Sequence, residues 1–385
     1  MSDAASESRE LLIGTLREWV RRQVLPVACE LELRDEYPAD LVQEMREMGL
    51  FGAVIDPAYG GAGLTYETYV AAVEEISRGW MTLAGIFNSH LILAHLVERF
   101  GSDEQRERFL PGLTSGEAQG ALALTEPGAG SDVQAIITTA RKDGDSYMLN
   151  GQKQYITNGR RAQYVAVLAK TDSTAKPPHR GMSILVAERG LPGFSVGRDF
   201  KKLGYRGVET SELFFEDCHI PVGNLIGDQE GHGFQQVMAG LEIGRLNVAA
   251  RGVGLARAAY EDALAYACER ETFGQPIAQH QAIQMKLADM SVAIEASRLL
   301  TQRAARLKDN GQRVDLEAGQ AKLFATETAQ MCALEGLRIH GGAGYIQDLP
   351  VERYVRDAPL LIVGEGTNEM QRVVIARRLL EQARG

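Results

Sequence analysis

The stretch LNVAARGVGLARAAYEDALAYA, residues 246–267, repeats its apolar positions at spacings that alternate between three and four. An α-helix has about 3.6 residues per turn, so positions at these spacings share one face. The stretch therefore predicts a long helix with one buried face. Because this face is rich in alanine, it can pack against other helices of the chain or against a second subunit. It is formed by Leu246, Ala249, Val253, Ala256, Tyr260, Ala263 and Ala267.

Helical periodicity continues towards the C-terminus. A third helix is predicted over residues 316–339, and a fourth follows Thr367. Four long helices in succession predict an up-down bundle, which we assign to residues 229–385. The second of these helices is marked by the apolar positions Ile283, Leu287, Met290 and Ile294.

The N-terminal third of the chain also has a helical pattern. Ile13, Leu16 and Val20 form an apolar stripe at spacings of three and four, and Pro26 punctuates it. We therefore predict an all-helical domain over residues 1–118.

The middle of the chain has a different pattern. YMLNGQKQYITNG (147–159), YVAVLAK (164–170) and TSELFFEDCHIP (210–221) mix β-branched and aromatic residues with turn signals. Short strands at close spacing predict a compact β-domain, a barrel or sandwich, over residues 119–228. The Asn-Gly pair that ends YITNG (155–159) predicts a hairpin turn, and the alternative is that Tyr155 lies against a flat ring. The fold class is therefore mixed α and β, with the strands in the middle domain.

Composition excludes several classes of function. The chain has 385 residues and a formal net charge of −10, which disfavours general binding to nucleic acid or to anionic membranes. Its four cysteines form no CxxC pair and its histidines lack metal spacing, so we expect reduced thiols, no metal site and a cytoplasmic location. The polar N-terminus resembles neither a signal nor a transit peptide, and no apolar run is long enough to cross a bilayer.

One carboxylate occupies an unusual position near the C-terminus. In LLIVGEGTNEMQR (360–372), Glu365 lies between two glycines, after an apolar run and before a helix that Thr367 can cap. Glu369 in the first turn suits the helix dipole. Glu365 is either a solvated loop acid or a catalytic base. Burial would raise its pKa and the nearby helix N-terminus would lower it, so the sign of the shift stays open.

Two glycine-rich stretches have similar alternatives. ALTEPGAGSD (123–132) leaves a predicted strand and is either an ordinary turn or a loop whose backbone approaches a planar or anionic ligand. RIHGGAGYIQDLPVERYVRD (338–357) ends a helix and continues into a loop. Its charged residues, Arg353, Arg356 and Asp357, read as a solvated face.

Together, these stretches resemble the acyl-CoA dehydrogenase family. The resemblance extends over nearly the whole chain, with the motifs in the family's order. They are YGGAGL (59–64), ALTEPGAGSDVQA (123–135), KLGYRGVETSELFFEDCHIP (202–221), ERETFGQPI (269–277), HGGAGYIQDLPVERYVRD (340–357) and EGTNE (365–369).

The resemblance implies a three-domain fold, noncovalently bound FAD and a homotetramer built as a dimer of dimers. It implies oxidation of an acyl-CoA thioester to the trans-2-enoyl-CoA, with electrons passed to electron-transferring flavoprotein. Glu365 matches the family's catalytic base, which takes the α-proton while the β-hydrogen leaves as hydride to the flavin. Some members carry the base on a bundle helix instead, where this chain has Gly244, which cannot act.

The same resemblance implies the binding residues. Those matching flavin, pyrophosphate or pantetheine contacts are Leu124, Thr125, Gly130, Ser131, Tyr155 and Thr157, and Thr367 and Glu369 match positions near the FAD adenosine. Those matching contacts to the FAD of a partner subunit are Arg270, Thr272, Phe273, Gly341 and Gly342. Substrate contacts are implied for Ser131, Glu242, Arg245 and Gly366. Arg338 departs from the family pattern of an acidic or amide residue; it can instead pair with the FAD pyrophosphate.

Competing functions remain on the same fold. Oxygen could take the electrons, as in an acyl-CoA oxidase or a monooxygenase, although monooxygenase relatives generally lack the base. A non-enzymatic, DNA-associated relative is disfavoured by the acidic charge. We expect a short, medium or branched acyl chain. Phe87 and His90, in AGIFNSHLILAHL (84–96), either shorten the acyl pocket or are ordinary helix-packing residues.

Overall fold

Helices form both ends of the chain and strands form its middle in the computed structural model, which describes residues 3–384. Met1, Ser2 and Gly385, at the outer ends of the first and third predicted domains, lie outside the described residues. The helices are α1 (Asp3–Trp19), α2 (Leu25–Leu33), α3 (Ala39–Glu47), α4 (Tyr66–Phe100), α5 (Asp103–Ser115), α6 (Gly233–Glu269), α7 (Gln281–Asp309), α8 (Asp315–His340), α9 (Val351–Val363) and α10 (Asn368–Gln382).

The strands form one curled mixed sheet and a separate two-residue ribbon. They are β1 (Gly120–Ala123), β2 (Thr139–Asp143), β3 (Ser146–Thr157), β4 (Tyr164–Lys170), β5 (Met182–Glu188), β6 (Phe194–Asp199), β7 (Thr210–Pro221), β8 (Glu271–Thr272) and β9 (Gln275–Pro276). The sheet order is β1-β4-β2-β3-β7-β6, with β5 also paired to β4, and β8 pairs with β9. The prediction of a helical, a β and a second helical region is confirmed.

Two long helices, α4 and α6, form the centre of the molecule. α6 packs against α4, α7 and α8, and α10 lies against α8, so the predicted C-terminal bundle is confirmed. α9 adds a fifth helix to it. α4 is apolar enough over 18 residues to pass a length-and-composition test for a membrane span, contrary to the sequence expectation. However, 94% of that window is buried inside the protein, as in a core helix.

The hairpin predicted at residues 155–159 is wrong. β3 ends at Thr157, and the next strand, β4, pairs with β1, β2 and β5 instead of with β3. Asn158 does adopt a left-handed conformation, with φ of 62°. Its side-chain amide is buried and donates to the carbonyl of Ile86 on α4, 2.7 Å away. The turn is therefore shaped by a helix far away in sequence.

The charged residues after Pro350 do not form the solvated face that the sequence suggested. They lie on α9, where Arg353 and Asp357 are buried. Arg353 Nη2 donates to the carbonyl of Gly79 at 3.0 Å, and Asp357 Oδ1 accepts from the backbone N–H of Tyr205 at 2.6 Å. These side chains therefore join the C-terminal helices to the other two regions.

Candidate active site

The corner between α9 and α10 holds Glu365 in a conformation that non-glycine residues rarely adopt. Its φ is 55°, and Gly366 follows with a φ of 83°. A side chain in this left-handed region costs free energy that the surrounding structure must supply. On one side, the Gly364 N–H donates to the backbone carbonyl of Leu360 at the end of α9. On the other side, Thr367 is the N-cap of α10, and its Oγ1 accepts from the Met370 N–H. The two helix ends thus fix the direction of the Glu365 side chain.

A third helix also holds this corner. Lys322 is fully buried on α8, and its ammonium donates to the carbonyl of Gly366 at 3.0 Å and to Asn368 Oδ1 at 2.8 Å. Burial lowers the pKa of Lys322 to about 8. The sequence offered no sign of this residue, because only the packing of α8 on the corner brings it there.

The carboxylate of Glu365 lies against α4 and α6. Asn88 Nδ2, on α4, donates to Glu365 Oε1 at 3.1 Å. A Cβ atom built on Gly244 would lie 2.6 Å from Glu365 Oε2, so the α6 backbone leaves room for this carboxylate only because residue 244 is glycine. The position at which some relatives carry the base is therefore adjacent in space to Glu365.

The electrostatic setting settles the sign of the pKa shift that the sequence left open. Burial is the largest influence and raises the pKa of the Glu365 carboxyl above its ordinary value. The positive charges of Arg251, Arg245 and Lys322 act in the opposite direction without cancelling the effect of burial. A carboxylate with a raised pKa is a stronger proton acceptor than a solvated one.

Glu365 faces a cavity of about 780 Å³, within the range of small-molecule and cofactor sites. The cavity lies between the sheet, α4, α6 and the α9–α10 corner. The predicted site residues that line it are Leu124, Thr125, Gly130, Ser131, Tyr155, Thr157, Arg245, Glu365, Gly366 and Thr367. Residues lining it that sequence reasoning did not single out include Asn88, Tyr205, Arg251 and Gln371.

One wall of the cavity is aromatic. Tyr155 has a φ of 60° and its side chain is 56% exposed, which is unusual for a large aromatic residue at the end of a strand. Its ring centroid lies 4.8 Å from that of Phe200, which also lines the cavity. Half-exposed rings beside an open cavity fit a planar ring system as ligand.

The loop after β1, which carries Leu124 and Thr125, is tied to β3 by a buried ion pair. Lys153 Nζ donates to Glu126 Oε1 at 2.8 Å and to the carbonyl of Leu124 at 3.1 Å. Glu126 also accepts from the backbone N–H groups of Ile137 and Thr138. Burial alone would raise the pKa of Glu126, but the Lys153 charge and these hydrogen bonds hold it below its ordinary value.

The remaining predicted site residues lie away from this cavity. Phe273 is 98% exposed, and Gly341 and Gly342 are also exposed. Arg338 is exposed and pairs with Glu335 on its own helix. The others outside the cavity lining are Glu242, Arg270, Thr272 and Glu369. The contacts inferred across subunits need a second copy of the chain, so they stay predictions.

Glu242 is not among the residues that line the cavity, so its substrate contact stays a prediction. Its carboxylate pairs with Lys308 Nζ at 3.1 Å, on the neighbouring helix α7. Arg245, three residues later on α6, does line the cavity.

The proposal that Phe87 and His90 shorten the pocket is wrong, and the helix-packing alternative is right. Neither lines the cavity. His90 accepts from the backbone N–H of Gly120 at 2.9 Å and contacts the carbonyl of Leu113 at 2.8 Å, and burial lowers its pKa to about 4. The α4 residues that do line the cavity are Gly85, Asn88 and Ser89.

Within residues 3–384, no group of three or more His, Cys, Asp or Glu side chains is arranged to hold a metal ion. The four cysteines are free thiols.

Comparison with known proteins gives consistent matches over all three regions. Residues 6–117, 121–218 and 231–380 match the models of the acyl-CoA dehydrogenase N-terminal, middle and C-terminal domains. The mitochondrial short-chain specific acyl-CoA dehydrogenase of Rattus norvegicus is 41% identical over 380 residues, covering 98% of this chain and 91% of the relative.

Solved structures agree with these matches. Butyryl-CoA dehydrogenase from Megasphaera elsdenii superposes with a TM-score of 0.94 at 36% identity, covering 99% of both chains. A chain solved in work on the electron transferring flavoprotein of Acidaminococcus fermentans superposes with a TM-score of 0.94 at 38% identity. That match covers 97% of this chain and 98% of the other.

Proposed function

Because the chain belongs to the acyl-CoA dehydrogenase family, whose members are FAD-dependent oxidoreductases, we propose that it oxidises a short or medium acyl-CoA thioester between Cα and Cβ. In this proposal Glu365 is the base that removes the α-proton. The observation that carries it is the Glu365 carboxylate on the wall of the cavity, with its pKa raised by burial.

The residues around Glu365 suit proton abstraction from a weak carbon acid. The α-proton of a thioester needs a base that is fixed in place and poorly hydrated. Asn88 orients one carboxylate oxygen, and the left-handed backbone with its two flanking helix ends restricts the side chain. The backbone N–H of Glu365 donates to no acceptor in residues 3–384, so it is free to bind the thioester carbonyl as negative charge develops there.

The cavity also fits the flavin. Leu124, Thr125, Tyr155 and Thr157 would hold the ring system, since the aromatic wall and the sheet offer it a flat surface. A Cβ on Gly130 would meet nothing within 4 Å, so the backbone there is open to the approach of a phosphate. When bound, FAD accepts the hydride that leaves Cβ.

Similar proteins support the finer details of the proposal. A short acyl chain is supported by the rat relative and by butyryl-CoA dehydrogenase, and electron-transferring flavoprotein as acceptor is supported by the Acidaminococcus match. We also propose a homotetramer, in which the exposed Phe273, Gly341 and Gly342 meet a second subunit, and a cytoplasmic location consistent with the free thiols.

Anaerobic titration of the flavin-loaded protein with acyl-CoA thioesters tests this function. We expect rapid loss of the visible flavin absorbance with at least one thioester of eight or fewer acyl carbons. Air-saturated buffer should reoxidise the reduced flavin slowly. Added electron-transferring flavoprotein, in its oxidised form, should reoxidise it quickly. An unchanged flavin spectrum across the whole panel of thioesters would contradict the proposed activity. A preference for acyl chains of twelve or more carbons would contradict the proposed chain length. Fast turnover with oxygen as the sole electron acceptor would favour an oxidase.

The pH dependence of flavin reduction should report the raised pKa of Glu365. Only the deprotonated carboxylate can accept the α-proton, so the rate should fall as pH drops through this pKa. Because burial raises the pKa, the acid limb should lie above the ordinary glutamate value of about 4.3. Stopped-flow bleaching at thioester concentrations well below saturation measures it, because the second-order rate reports the pKa of the free enzyme, with flavin fluorescence as the control for cofactor release. An acid limb at or below the ordinary value would contradict the buried setting.

A further inference from the structure

Arg251 is a buried cation at the cavity, and two of its three guanidinium nitrogens have no hydrogen-bond partner in the described chain. It lies on α6, is 5% exposed and lines the cavity beside Glu365. Its Nε and Nη1 atoms are buried and have no hydrogen-bond partner in the described chain. A guanidinium group carries five N–H donors and cannot lose its charge in a protein, so leaving it unpaired away from water is costly.

Arg245, one and a half turns earlier on α6, is in the same condition. It is 8% exposed, lines the cavity and has a buried Nε without a partner among residues 3–384. Two buried guanidinium groups thus face one cavity.

The acids near these arginines are already engaged. Glu242 pairs with Lys308, and Asp315 pairs with Arg313 and Arg378. Within the described residues, no carboxylate oxygen lies within 4 Å of a nitrogen of either cavity arginine. Glu365 is the remaining acid of the cavity wall, and it must bind a proton during turnover. The wall therefore has an excess of positive charge that a ligand can neutralise.

Burial of an arginine does not by itself indicate a ligand, as Arg353 illustrates. It is 2% exposed and also has unpartnered Nε and Nη1 atoms, yet it donates to Gly79 and lies outside the cavity lining. Arg251 differs because it lines a cavity large enough for a ligand.

Arg251 lies on a buried part of the cavity wall, against Tyr205. Its guanidinium carbon is 5.8 Å from the ring centroid of Tyr205, which is buried, and the Tyr205 hydroxyl occupies the space where Gly85 lacks a side chain. The aromatic wall of Tyr155 and Phe200 is far more exposed. An anion bound at Arg251 would therefore belong to the acyl part of the substrate and not to the nucleotide of coenzyme A.

We propose that Arg251, assisted by Arg245, forms an anion subsite that binds a carboxylate at the far end of the acyl chain. The preferred substrates are then monothioesters of dicarboxylic acids, a class that rests on the proposed dehydrogenase function. A carboxylate matches the planar fork of a guanidinium group with two parallel hydrogen bonds. The reaction itself is unchanged: the α-proton goes to Glu365 and the β-hydride goes to the flavin.

The test compares each dicarboxylic thioester with its own methyl ester, which has the same chain without the charge. Glutaryl-CoA, adipyl-CoA and their monomethyl esters are the probes, and kcat/KM for anaerobic flavin reduction is the readout. The wild-type protein should prefer the free carboxylate by about 100-fold or more. In Arg251→Gln this preference should fall about 100-fold, the range expected when one partner of a buried charged hydrogen bond is removed. Arg251→Lys should restore part of it.

The ratio between a carboxylate and its ester is measured within one protein, so a partial loss of folding or flavin cancels. Arg303→Gln, an exposed arginine on α7, is the matched control and should leave the ratio unchanged. A wild-type protein that is reduced by neutral short thioesters but disfavours the carboxylates would overturn the subsite and leave the dehydrogenase function standing. A carboxylate preference that survives in Arg251→Gln would overturn the assignment to Arg251. No flavin reduction by any thioester would overturn both proposals.

Discussion

Replacement of Glu365 by glutamine should lower the rate of flavin reduction by an acyl-CoA about 10⁴-fold, the upper range for the loss of a general base. The amide keeps the size of the side chain and its contact with Asn88, but it cannot accept the α-proton. FAD content should stay close to that of the wild type, because the change leaves the aromatic wall intact. Stopped-flow bleaching under anaerobic conditions measures the rate.

Two further variants identify the source of the loss. Glu381→Gln, at an exposed position near the end of α10, is the matched control and should be indistinguishable from the wild type. In the double variant Glu365→Gly with Gly244→Glu, a carboxylate enters the same space from α6, since a Cβ at residue 244 points at the present Oε2 atom. This variant should recover part of the activity that Glu365→Gly alone loses. Near wild-type turnover in Glu365→Gln would move the role of base elsewhere, with Glu242 the next residue to replace.

The second large effect is expected at the buried ion pair behind the cofactor loop. Lys153→Met should lower the free energy of unfolding by about 3–5 kcal/mol, because it leaves the Glu126 carboxylate buried without its cation. The variant should also bind FAD more weakly, since Lys153 holds the carbonyl of Leu124 next to the cavity. Urea unfolding of the flavin-loaded protein and the retained flavin per chain are the two measurements.

The controls for this prediction separate charge from packing. Lys142→Met, exposed on the adjacent strand β2, should leave stability unchanged. Adding Glu126→Gln to Lys153→Met should recover part of the loss, because the amide oxygen still accepts from Ile137 and Thr138 but needs no cation. If Lys153→Met alone kept the stability of the wild type, Glu126 would have to be neutralised or hydrated when Lys153 is absent.

Features that depend on neighbours in sequence were predicted well. The alternating spacing of three and four in residues 246–267 identifies α6, because helical geometry places these positions on one face. Thr367 was recognised as the N-cap of α10 because a capping side chain bonds a backbone group only three residues away. The order of the helical and β regions follows from the same local patterns.

Features that depend on distant partners were missed or left open. The Asn-Gly turn after β3 was read as a hairpin, but Asn158 is held by Ile86, 72 residues away. The charged residues of α9 were read as solvated, although Arg353 reaches Gly79, 274 residues away. Asn88 meets Glu365 across 277 residues, and nothing near either residue announces the pair.

The sequence therefore established the order of the helical and β regions and the position of Glu365 between an apolar run and the helix that Thr367 caps; that the apolar run ends a further helix, α9, was decided by the fold. The sequence left open the charge state of that carboxylate, because burial and the helix N-terminus shift a pKa in opposite directions. The tertiary structure decided the balance in favour of burial, by packing α4 and α6 around the corner. It also decided that Arg251 lines the cavity with two unpartnered nitrogens in the described chain, since a side chain's burial and pairing depend on every element around it and not on its own neighbours in sequence.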